Sequence, residues 1–316
     1  MTGDNRNHIL KEPERIKSAV ALHQSAAPVR YCGRDFTMEE MKIISEIVRT
    51  KGLCRTAISV KICERFEWRK ADGKLKDMSC RVALLRMERD GWFSLPPSLN
   101  RNGNGDGKPY KHSNMLNDNQ PLLNLSAGEI GDISLDIVKT PVESRIWNEM
   151  IHRWHYLGYK RLVGAQLRYQ INSRYGVLGA LGFGASAWNV QAREDFIGWS
   201  SQIREQNLNL IVNNCRFLIL PWIKSRNLAS RVLGLVAKKL PNDWEDRYKY
   251  RPVMLETFVE KKRFRGTCYK AANWIYLGET KGRGKLGDYS KLYENVKLIM
   301  VYPLCREFRS VLQQSQ

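Results

Sequence analysis

The sequence predicts an α/β protein, a mixed sheet with helices on both faces, preceded by a small winged-helix-like helical domain. Three observations predict it. Two apolar runs, 215–220 (CRFLIL) and 253–259 (VMLETFV), flank an amphipathic stretch at 228–240, which is the spacing of a parallel βαβ unit. Upstream, residues 165–171 and 176–186 read as extended segments around a tight turn at 172–175. Between residues 37 and 90, three short segments of helical period precede the extended stretch WFSLPP.

Taken in order, residues 1–30 carry no hydrophobic period and read as a flexible lead-in. Thr37 and Glu40 are spaced as a capping box, opening a helix to about residue 49 with Met41, Ile44 and Val48 on one face. A second helix spans about 56–66. A third begins at Asp77 as cap and ends before Gly91, with Cys80, Ala83, Leu84 and Met87 on its core stripe and Arg81, Arg86 and Arg89 on the other side. Helices followed by an extended ribbon outline a winged helix-turn-helix over 31–98, whose third helix offers cations to a DNA groove; a plain helical bundle with solvated arginines fits the same spacing. Residues 99–121 are rich in Asn, Gly and Asp and read as a linker or exposed loop, which places the second domain at 122–316.

In that domain 130–138 alternates as a strand. Pro141 sits where the first helical turn accepts it, and a helix follows to Leu157-Gly158. The run 193–208 reads as one helix, 267–274 as a short helix, and 296–302 as the last strand. The run GALGFG at 179–184 reads as close strand packing and not as a dinucleotide fingerprint.

The chain carries 52 Lys and Arg against 32 Asp and Glu, a net charge of +20. That excess points to a polyanionic partner, nucleic acid above all, with DNA favoured. No apolar run approaches the length of a membrane span and the N-terminus is polar throughout, so the expectation is a cytoplasmic protein with no membrane partner. Seven cysteines at irregular positions, none in a CxxC pair, agree with a reducing compartment and give no support for zinc.

The cations cluster after strands. Lys224, Arg226 and Arg231 follow the first apolar strand, and Lys261, Lys262, Arg263 and Arg265 follow the second. Lys281, Arg283 and Lys285 follow a third, IYLGET, whose direction the sequence leaves open. Parallel neighbours bring the first two clusters to one sheet edge, and Trp222, Phe264, Tyr269 and Trp274 lie close enough in sequence to stack on bases. Independent solvated charges are the alternative reading. Glu256 and Glu260 share one strand face. Glu256, in an apolar strand, needs a partner such as Arg216 or Arg231, or a raised pKa of the kind a general base uses. Tyr269 is the matching candidate acid, or else a packed tyrosine. His152 and His155 amount to half a metal site, and Asp195, Glu256 and Glu260 to a poorly spaced nuclease triad, so no metal is expected.

The element order β-α-β-β-α-β-α-β-α-β-β is similar to the acyltransferase fold of the GNAT superfamily. GTCYKAANWIYLGET, with Tyr269 and Leu277-Gly278, looks like a variant of that fold's late helix. The superfamily's pyrophosphate turn carries glycines, whereas WIKSRNLAS has none, which disfavours acetyl-CoA as a cofactor. A second resemblance covers most of the chain. RFLILPWIKSRNLASRVL, VMLETFVEKKRFRGTCYKAANWIYLGETKGRGK, RWHYLGYKRLVGAQLRYQI and the N-terminal CRTAISVKICERFEWRKADGKLKDMSCRVALLRMERDGWFSLPP resemble the Druantia anti-phage DruA family. That resemblance implies a bacterial defence component, with no agreed catalytic motif to carry over.

The expected function is therefore nucleic-acid binding in anti-phage defence. The alternatives are an enzyme on the same scaffold, either an acyltransferase using Glu256 and Tyr269 or a nucleic-acid-processing enzyme, and a docking scaffold for helicase-like partners.

Overall fold

The computed structural model describes residues 27–99, 116, 120–282 and 296–315. The chain divides into two compact units, Met1–Gly107 and Lys108–Gln316. Among the described residues no helix is long and apolar enough to cross a membrane.

The first unit opens on an antiparallel hairpin of β1 (Val29–Tyr31) and β2 (Arg34–Phe36). Its two-residue turn, Cys32-Gly33, has positive φ at both positions, 51° and 78°, the geometry that matches the twist of paired strands. Val29 and Arg30 pair with Phe36 and Asp35, so order begins before residue 31, earlier than the lead-in boundary expected from sequence. Helices α1 (Met38–Arg49), α2 (Arg55–Arg65) and α3 (Asp77–Arg89) follow. The Thr37/Glu40 capping box forms. Asp77, expected as a cap, is instead the first helical residue and pairs with Arg81 at 2.8 Å.

The stretch after α3 makes no strand. Pro96 and Pro97 have no N–H to give a ladder, the Leu95 N–H donates to Glu88, and the Pro96 carbonyl accepts from Arg55. The paired ribbon of this unit precedes the helices. The outer face of α3 also differs from expectation, because exposed Met78, Val82 and Leu85 lie among its arginines.

The second unit holds a seven-stranded mixed sheet in the order β3-β4-β5-β6-β7-β9-β8. Its strands are β3 (Ile133–Ile137), β4 (Gln166–Ser173), β5 (Gly176–Ala185), β6 (Ile211–Ile219), β7 (Met254–Glu260), β8 (Ile275–Glu279) and β9 (Lys297–Pro303). Among these seven strands only β6 and β7 pair in parallel, across α8 (Leu228–Tyr248). Alternation along the strands sorts side chains to two cores: Val212, Leu255 and Met300 join one, while Ile211, Met254 and Val301 join the other. The first core packs α5 (Pro141–Trp154) and α8. The second packs α6 (Gln191–Ile197), α7 (Ser201–Asn207) and α10 (Phe308–Gln313). Two short helices complete the unit, α4 (Ala127–Ile130) and α9 (Thr267–Ala271).

Local chemistry explains the boundaries. Thr140 and Glu143 form a capping box around Pro141 at the start of α5. The run 193–208, read from sequence as one helix, breaks because Gly198 adopts a left-handed conformation and Ser200 caps a new helix through the Ile203 N–H. Pro241 does not end α8, although proline inside a helix costs about 3 kcal/mol. Burial of Leu240, Pro241 and Trp244 carries the helix two turns further than expected. Conversely α9 stops at Ala271, short of the expected 274, where Asn273 turns to φ 62°. The glycines of β5 allow close strand approach as expected: a Cβ on Gly179 would lie 2.0 Å from the Leu218 carbonyl oxygen.

Candidate nucleic-acid interface at a split sheet edge

β6 and β7 pair over three positions only, Ile211 with Met254, Val212 with Leu255, and Asn213 with Glu256. Beyond them the strands continue unpaired with each other to Ile219 and Glu260. Because the strands are parallel, the turns that follow them, 221–227 and 261–266, sit at the same end of the sheet. The end of α5 reaches both turns. Trp154 meets Trp222 edge-on, with centroids 5.0 Å apart, and Tyr156 meets Phe264 at 5.4 Å.

The third turn belongs to the same edge. β8 is antiparallel to β9, and β9 is antiparallel to β7, so β8 runs in the direction of β7 and Lys281 emerges beside Lys261. An ion pair from Lys261 to Glu279, 2.7 Å, ties the two ends together. Lys224, Arg226, Lys261, Lys262, Arg263, Arg265 and Lys281 are all exposed. Arg231 is not part of this display, since it donates to the Ala127 carbonyl. Arg283 and Lys285 lie outside the described residues. In the first unit Arg86 and Arg89 are exposed, while Arg81 is half-buried against Asp77.

The split between the strands is filled by side chains. The Tyr269 hydroxyl donates to Asn214 Oδ1 at 2.7 Å, and the Thr257 hydroxyl donates to the Asn214 carbonyl at 3.0 Å. Asn214 Nδ2 donates in turn to the carbonyls of Gly182 and Arg216. Burial pushes the Tyr269 hydroxyl pKa well above its ordinary value. Tyr269 is thus a packed, donating tyrosine. The polar pair Asn213-Asn214 inside an apolar strand was the sequence signal for this polar filling.

Glu256 is fully buried, and its partner is neither Arg216 nor Arg231. Arg193 of α6, also without exposure, donates to Glu256 Oε2 at 2.7 Å, and the Ala187 N–H donates to Oε1 at 2.7 Å. Arg193 also donates to the Ala187 carbonyl and to Glu194, whose other oxygen accepts from the Trp199 indole. Burial raises the Glu256 carboxyl pKa, against the opposing pull of Arg193 and the Ala187 N–H. Arg193 went unseen in sequence because it sat in a run read as one helix, 63 residues from its partner.

His155, the C-cap of α5, accepts the Leu157 N–H at Nδ1, 3.2 Å, and stacks on Tyr156. Burial, aided by the nearby Arg216 cation, holds its pKa down to about 4. The unfolded chain, with an ordinary value of 6.5, therefore takes this proton first, and stability is lost as pH falls from about 6.5 through about 4. His155→Gln should flatten that part of the acid limb, as measured by urea unfolding at a series of pH values. Glu260 pairs with Arg263 at 3.4 Å and Asp195 accepts from Gln191, so neither joins Glu256 in a triad. Among the described residues no group of His, Cys, Asp or Glu could hold a metal ion.

The turn 221–227 does not suit a pyrophosphate. The Ile223 N–H donates to the Leu220 carbonyl and the Lys224 N–H to the Leu123 carbonyl. No glycine brings the remaining backbone close, and Asn227 is held at φ 61° before α8. Tyr269 and Asn214 occupy the strand split as well.

Comparison with solved structures returns acetyltransferases. An aminoglycoside acetyltransferase AAC(6')-Ib in complex with coenzyme A is 12% identical, covering 57% of this chain and 98% of that one, with a TM-score of 0.37. Spermidine N-acetyltransferase from Vibrio cholerae is 9% identical, with coverage of 54% and 94% and a TM-score of 0.35. The ribosomal-protein-S18-alanine N-acetyltransferase from Escherichia coli is 9% identical, with coverage of 58% and 97% and a TM-score of 0.34. Similarity at that level says nothing of ligand or reaction. No curated protein matches the sequence. Residues 88–307, more than half of the chain, match the family model of the Druantia protein DruA, so the chain belongs to that family.

Proposed function

We propose that this chain is a nucleic-acid-binding component of a bacterial anti-phage defence system, acting through the cationic edge of its GNAT-like sheet and without coenzyme A. The observation that carries the reading is the placement of three strand-end turns at one edge, with seven exposed cations from Lys224 to Lys281. Neighbouring like charges repel one another, so such a cluster gains most from a polyanion that binds several of them together. DNA is the favoured partner. The exposed Arg86 and Arg89 of α3, at the end of a three-helix module of helix-turn-helix type, would add a second contact. The burial of Glu256 against Arg193 and of Tyr269 against Asn214 supports binding over acyl transfer.

Two measurements on the full chain test this reading. Fluorescence anisotropy with a labelled DNA should show binding whose logarithm falls steeply with the logarithm of salt concentration. Acetyl-CoA should leave the melting temperature unchanged, whereas a ligand at about a hundredfold its dissociation constant would add about 2.7 kcal/mol to the folded state. Absence of DNA binding at low salt overturns the proposal, and a rise in melting temperature with acetyl-CoA redirects it to acyl transfer.

A further inference from the structure

At the centre of the cationic edge lies an aromatic group that phosphate binding alone does not require. Phe264 sits in the run Lys261–Arg265 and is 48% exposed. Tyr156, delivered from the far side by the end of α5, meets it at 5.4 Å and 58°. Behind Tyr156 the His155 ring is stacked at 4.8 Å and 26°, which fixes the tyrosine from one side. The Arg263 guanidinium lies 5.5 Å from the Tyr156 ring centroid and is held to Glu260.

We infer that Tyr156 and Phe264 form a base-stacking platform, so that this edge takes single-stranded DNA in preference to duplex. The inference rests on the nucleic-acid reading given above and narrows its substrate class. A duplex presents phosphates and groove edges while its base faces are stacked on one another. An exposed ring amid cations gains contact only from a base that is already unstacked. The surrounding cations Lys262, Arg263 and Arg265 follow the backbone, and the ring face accepts any base, so binding of this kind has little sequence preference. The stack on His155 and the Arg263 guanidinium over the ring commit Tyr156 to the protein. The exposed ring of Phe264 is therefore the part that a base meets first.

Anisotropy with three probes of equal phosphate count tests this on the full chain: a fluorescein-labelled oligothymidylate of about 16 nucleotides, its abasic counterpart, and a blunt duplex. Wild type should bind the oligothymidylate most tightly. Phe264→Ala should weaken that binding about tenfold, leave the abasic and duplex affinities within about twofold, and leave the salt slope unaltered. Phe264→Trp should restore the loss, and Tyr156→Leu should repeat it. Because Phe264 is exposed, its alanine variant keeps the fold, which a thermal melt verifies. Equal losses on all three probes, or no loss on any, overturn the platform and leave the cationic edge standing. Binding of no probe by wild type overturns both.

Discussion

Arg193→Ala should destabilise the chain by about 3–5 kcal/mol, the usual cost of breaking a buried ion pair from one side. The reason lies in what remains. Glu256 keeps one N–H donor, from Ala187, and has no exposure through which water could replace the guanidinium. Glu194, whose other oxygen accepts the Trp199 indole, loses a partner in the same step. Urea unfolding at neutral pH measures the loss. The variant's deficit should shrink as pH falls toward the ordinary carboxylate range. Glu256, its pKa already raised by burial, then binds a proton more readily folded than unfolded. Replacing both partners, Arg193→Met with Glu256→Leu, should recover more than half of the loss, because no charge is then stranded. A single alanine variant as stable as wild type would show that α6 is not fastened by this pair.

Removing charge from the sheet edge should have the largest effect on binding. Lys224, Arg226, Lys262 and Arg265 are exposed, and among the described residues none of the four has an ion-pair partner. Alanine at all four should lower DNA affinity on the order of a hundredfold at moderate salt and reduce the salt slope by about one for each cation that meets a phosphate. Alanine at Lys238, Lys239 and Arg247, three exposed cations farther along α8, is the control and should change the slope little. If the two sets behave alike, charge in general and not this edge attracts the polyanion. Titration of labelled DNA at several salt concentrations separates these outcomes, since slope counts contacts and the intercept does not.

What sequence made legible was whatever depended on near neighbours. The capping box at Thr37, the helix start at Pro141, the parallel pair across α8 and the tight glycine strand all follow from local sequence pattern. The hairpin at Cys32-Gly33 was equally local, a glycine turn between short alternating segments, and was there to be read. The partner of Glu256 was a different matter. Arg193 is one of many arginines, and only the break at Gly198 and the packing of α6 on the sheet select it. The same holds for Tyr156, whose meeting with Phe264 depends on α5 crossing to the end of β7. The direction of β8 required knowing that β9 inserts between it and β7. Charge clusters were visible from the start, and their convergence was a property of topology.

The three-position pairing of β6 with β7 gives the second unit a seam. On one side lie β3 to β6 and on the other β7, β9 and β8, two half-sheets with well-made ladders of their own. Few backbone bonds cross the line. Asn214, Thr257 and Tyr269 stitch it near its middle, and Arg193 rivets β7 to the segment following β5. Torque between the halves is carried by those side chains. The basic turns after β6 and β7 stand on opposite sides of the line, so a polyanion spanning them would act as an external brace across the joint where the sheet is mechanically weakest.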